Sequence, residues 1–60
     1  MGDIKQAAIW LEAGHAVRRA SWRWKMILQR NTGTVVWADN GEPVILQVSD
    51  YRADDYVIAQ

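Results

Sequence analysis

In only one stretch of this 60-residue chain do apolar residues recur at helical spacing. Ile4, Ala7, Ala8 and Leu11 fall on one face of a period of about 3.6 residues, and Gly14 follows as a stop. Asp3 can accept a hydrogen bond from the first turn, so the pattern predicts a helix over residues 3–13. Ile9 lies opposite the apolar face and Trp10 on its edge, which makes both candidates for a subunit contact. Everything beyond Gly14 alternates instead of repeating every third or fourth residue. One helix followed by strands describes an α+β domain, with the helix packed on one face of an antiparallel sheet.

The strands are read from the same periodicity. Val17 opens an extended stretch, and Trp24, Met26 and Leu28 then alternate with Arg23, Lys25, Ile27 and Gln29. Asn31-Thr32-Gly33 makes a turn into residues 34–38, which are expected to pair with both neighbours. Asp39-Asn40-Gly41 is a strong hairpin signal. Pro43 suits the start of a strand in which Val44, Leu46 and Val48 face one side and Ile45 and Gln47 the other. Ser49 and Asp50 suit a short turn or single helical turn through Asp54, and Tyr56, Val57 and Ile58 read as a last strand. The expected architecture is an N-terminal helix on an antiparallel β-meander of about four to five strands, spanning residues 1–60 as a single domain.

A domain of this size buries only about 60% of the surface its unfolded chain exposes. With no Cys there is neither a disulfide nor a thiolate metal site to compensate, and the composition fits a reducing, cytoplasmic setting. Four Trp and two Tyr are also hard to enclose in one small core. Both features point to a homo-oligomer. No apolar run approaches the roughly 20 residues that span a bilayer, so no membrane partner is expected. The net charge is zero, yet Arg18, Arg19, Arg23, Lys25 and Arg30 lie in a stretch from residue 13 to 38 that holds no Asp or Glu. Asp39, Glu42, Asp50, Asp54 and Asp55 then outnumber Arg52, giving a dipolar molecule with one basic face suited to an anion.

Two blocks of residues resemble a known family. The spacing Ile4-x2-Ala7-x3-Leu11-x2-Gly14-x2-Val17-x-Arg19-x2-Trp22 is similar to the N-terminal half of the Thoeris anti-defence domain family of small phage and prophage proteins. Ala53-Asp54-Asp55-Tyr56-Val57-Ile58 resembles that family's terminal Ala-acid-Asp-Trp-x-aliphatic signature, with Tyr56 in place of Trp. Members are typically longer between the central strands, where this chain has tight turns. The resemblance implies a homo-oligomer, a dimer or tetramer, that sequesters a cyclic ADP-ribose derivative or a cyclic dinucleotide without cleaving it, in the host cytoplasm. Some relatives are instead CRISPR inhibitors, so a bacterial defence protein is the alternative partner.

The residue chemistry agrees with binding rather than catalysis. His15 is the lone histidine, has no nucleophile in a recognisable motif beside it, and reads as a solvated loop residue. One His with carboxylates unlike a calcium loop predicts no metal, and no cofactor is expected. Asp54 and Asp55 are adjacent, so on extended backbone they face opposite ways and cannot serve as a paired acid and base. Arg19 bonded to Asp55 would account for both signature residues structurally. Within the basic, aromatic segment, Trp faces can stack on bases while guanidinium groups grip phosphate. The candidate ligand-binding residues are Arg23 and Trp24 of this segment, together with Arg19, Trp22 and Asp55, which the resemblance implies because they stand in its two blocks. For Trp22 and Trp24 the competing role is core or subunit interface, and for the basic residues a solvated strand face. Nucleic acid is the least favoured partner, because the acidic C-terminal part balances the basic one.

Overall fold

The computed structural model describes residues 1–59, in the order α1 (Ile4–Glu12), β1 (Ala16–Arg19), β2 (Met26–Gln29), β3 (Thr34–Trp37), α2 (Val48–Tyr51) and β4 (Tyr56–Ala59). The α+β class expected from the periodicity is what the chain adopts. Both ends of α1 form as its caps dictate. Asp3 Oδ1 accepts the Gln6 N–H at 2.9 Å. At the other end Gly14, at φ +96°, donates to the Leu11 carbonyl while His15 donates to that of Trp10, both at 3.0 Å. These two bonds make a Schellman stop, which needs the left-handed conformation that glycine enters without penalty. Arg30 Nη2 adds a cationic donor to the Glu12 carbonyl at 2.8 Å.

The sheet is antiparallel throughout, in the order β3-β2-β1-β4. Strands β1, β2 and β3 form a meander, and β4 returns to the opposite edge beside β1, which is Greek-key order. The register places Val17 beside both Met26 and Ile58, and Met26 beside Trp37, in one row across the sheet. Side chains opposite one another share a face. On this one Val17, Met26 and Tyr56 meet Ala7 and Leu11 of α1 to form the buried core. Ala16, Arg18, Ile27, Val57 and Ala59 alternate onto the other face.

Two expected strand segments are shorter than the alternation implied. The β1–β2 ladder contains the single pair Val17–Met26, so Trp24 falls on a bend ahead of β2 and stands 53% exposed instead of following Met26 inward. The second is residues 43–48. After the turn at residues 38–40 the chain reverses, Trp37 N–H bonds the Glu42 carbonyl at 2.8 Å and Val44 N–H bonds that of Val35 at 3.0 Å. Pro43 forms one isolated bridge to Val36 and the ladder then ends, so β3 pairs fully only with β2. Val44 and Leu46 keep their half-buried alternation, but Val48 opens α2 instead of extending a strand. The competing force is a local one, since Asp50 Oδ2 accepts the Gln47 N–H at 2.9 Å and fixes the start of that turn.

Candidate functional site

The five sequence candidates separate into two places. Arg19, Trp22 and Asp55 belong to an internal knot that closes β1 onto the return to β4. Arg19 Nε donates to Asp55 Oδ1 at 2.8 Å and its Nη1 donates to Asp50 Oδ1 at 2.9 Å. The bond expected between the two signature residues is therefore present, with Asp50 as a second acceptor. Asp55 and Asp50 together raise the Arg19 pKa, the hydrogen bond from Asp55 contributing most. Asp50 is held below the usual carboxylate range, first by the Gln47 N–H and then by Arg19, against the opposing effect of burial. Tyr56 donates its hydroxyl to the Asp50 carbonyl at 2.8 Å, and burial pushes its pKa up. Trp22 packs edge-on against Tyr56 at 5.9 Å and against Trp37 at 5.4 Å between ring centroids. Asp54 is exposed and Asp55 half-buried, so the neighbouring carboxylates do not act together.

Arg23 and Trp24 lie elsewhere, on a shallow groove of about 590 Å³ where β1 and β2 part. Arg18, Lys25 and Asp39 join them, with Ala59 of β4 on the opposite wall. Arg18 is fixed there by its own backbone surroundings. Its Nη1 donates to the carbonyls of Arg19, Ala20 and Trp22 at 3.1, 3.2 and 3.1 Å, bracing the turn that begins the β1–β2 connection. Among the described residues its Nε and Nη2, and the charged ends of Arg23 and Lys25, have no hydrogen-bonding partner. Three cations and an aromatic face thus line one concave surface, with Asp39 the only acidic residue among the described residues lining it.

Arg18 and Lys25 were not among the sequence candidates. The signal was present in the alternation: Arg18 faces away from Val17, and Lys25 away from Met26, onto the sheet face that α1 leaves uncovered. A second groove of about 380 Å³ shares Trp24 and Asp39 with the first and is otherwise lined by Trp37, Asn40 and Glu42. His15 is exposed at the helix stop, away from both grooves. Among the described residues no three of His, Asp and Glu converge as metal ligands, and no helix is long and apolar enough to cross a membrane. Compared with protein-family models, curated proteins and solved structures, the chain matches none.

Proposed function

We propose that this protein is a phage or prophage counter-defence protein that binds a cyclic nucleotide signal and holds it uncleaved in the host cytoplasm. The observation that carries this reading is the groove in which exposed Trp24 stands with Arg18, Arg23 and Lys25. Indole faces stack on any base, and guanidinium groups match phosphate oxygens in pairs. The resemblance of the two sequence blocks to the Thoeris anti-defence family supplies the ligand class, a cyclic ADP-ribose derivative or a cyclic dinucleotide. Sequestration needs affinity alone, and the groove residues form a binding set with no histidine or paired carboxylates for proton transfer. A homo-oligomer, dimer or tetramer, fits the exposed apolar residues of so small a domain.

Titration calorimetry against cyclic ADP-ribose isomers and cyclic dinucleotides tests the reading. The expected result is tight binding to at least one, with chemically unchanged ligand recovered after heating. Altered ligand would make the protein an enzyme, and no heat across the panel would remove the nucleotide. A second reading is an inhibitor that covers a defence protein's surface. It is favoured by Ile45, Val48 and Tyr51, which are 86%, 72% and 56% exposed. Such a protein would bind its target with no small molecule present, and alanine at Tyr51, not at Arg23, would weaken it.

A further inference from the structure

The turn after β3 sets Asn40 directly before Gly41, and its geometry holds an electrophile and a nucleophile of the chain together. Asn40 Oδ1 accepts the Glu42 N–H at 3.0 Å. The ring closed by that hydrogen bond contains both Asn40 Cγ, the carbon of the side-chain amide, and the Gly41 nitrogen, so the two are gathered on one side of a tight turn. The same N–H draws electrons from Cγ and stands where negative charge would develop on Oδ1. Gly41, at φ +75°, has no Cβ to obstruct an approach, and nothing lies within 4 Å of where one would be. Its N–H donates to the Trp37 carbonyl at 2.8 Å, in the peptide plane, whereas attack by the nitrogen uses its out-of-plane electrons. Residues 38–43 are all exposed, so water reaches the turn.

We propose that Asn40 is a self-modification site, at which the folded chain converts its own side-chain amide to a carboxylate. The Gly41 nitrogen bonds to Asn40 Cγ and gives up its proton to water. The bond from Cγ to Nδ2 then breaks, and Nδ2 takes a proton from water and leaves as ammonia, with a five-membered succinimide behind it. One water opens that ring. Cleavage at Cγ yields an aspartate at position 40, and cleavage at the backbone carbonyl carbon yields an isoaspartyl linkage, with one more methylene in the main chain. Either product adds a negative charge to the second groove, beside Asp39 and Glu42. Asn31, the other asparagine, precedes Thr32, whose branched Cβ crowds the attacking nitrogen. The proposal is independent of what the grooves bind.

The rate in the folded chain decides it. Holding the Gly41 proton on the Trp37 carbonyl slows the reaction by about tenfold at most relative to an open chain. Reaction only through global unfolding would slow it by the folded-to-unfolded ratio, about a hundredfold or more. The full chain is incubated at mildly alkaline pH, once where its melting curve shows it folded and once unfolded in guanidinium chloride. Peptide mass mapping and an isoaspartate methyltransferase assay follow the product. A gain of about one dalton should accumulate at position 40 and not at Asn31, with the folded rate within about tenfold of the unfolded one. Asn40→Gln, which would have to close a less favourable six-membered ring, should lose the isoaspartate signal. A folded rate more than about tenfold below the unfolded one, modification centred on Asn31, or an undiminished signal in Asn40→Gln would overturn the proposal.

Discussion

Arginines adjacent in sequence do unlike work here, because a strand turns successive side chains to opposite faces. Arg19 faces inward and meets Asp55 and Asp50, whereas Arg18 faces outward and borders the groove. Replacing them separates stability from binding. Arg19→Ala leaves two half-buried carboxylates without their cation and should lower the melting temperature by several degrees, while a folded population still binds nucleotide. Arg23 is exposed and has no hydrogen-bond partner among the described residues, so in Arg23→Ala stability should stay within about 0.5 kcal/mol while nucleotide affinity falls at least severalfold. Thermal melts and calorimetry on both variants check the pair, and the reverse pattern would relocate the site to the Arg19 knot. The pH dependence follows from Asp50. Its folded pKa lies below the unfolded value of 3.8, so it contributes stability above that pH, lost as pH falls through the lower folded value. Tyr56 acts at the other end: its folded pKa is raised above 10.0, so stability declines as pH climbs beyond that value. Melting temperature should therefore fall on both limbs, and a smaller acid limb in Asp50→Asn would confirm the Asp50 contribution.

Among the elements, α1 was fully legible because its signals are local. The cap at Asp3, the period through Leu11 and the glycine at position 14 all lie within one short segment and agree with one another. Gly14→Val places a β-branched residue at positive φ and should destabilise the domain by at least about 1–2 kcal/mol, read as a lower melting temperature. An unchanged melt would mean that the helix ends by another route. Gly2 was silent in the sequence, since its need comes from packing: it bridges Tyr56, and a Cβ there would approach Gln6 Cβ to 2.6 Å. The strand order was equally hidden. Alternation gives a strand's faces but not its neighbour, so the crossing of β4 to the far edge could not be read from Tyr56–Ala59 alone. For the same reason Trp24 looked like the start of a buried row, although pairing begins only at Met26.

At the scale of the molecule, one helix covers one face of the sheet, and the groove that carries the proposed function is bordered by the β1–β2 connection, the turn after β3 and the end of β4. The aromatic and basic segment therefore serves two ends. Trp22 is committed to packing with Tyr56 and Trp37, while Trp24, two residues on, stands exposed. Three of the five sequence candidates thus build the frame, and the other two join Arg18 and Lys25 at the groove. The measurement that tests this division most directly is an NMR titration following the indole N–H signals of all four Trp residues as a cyclic dinucleotide is added. The largest shift is expected at Trp24, a smaller one at Trp37, and little change at Trp10 and Trp22. Shifts centred on Trp22, or none at Trp24 under saturating ligand, would contradict that division.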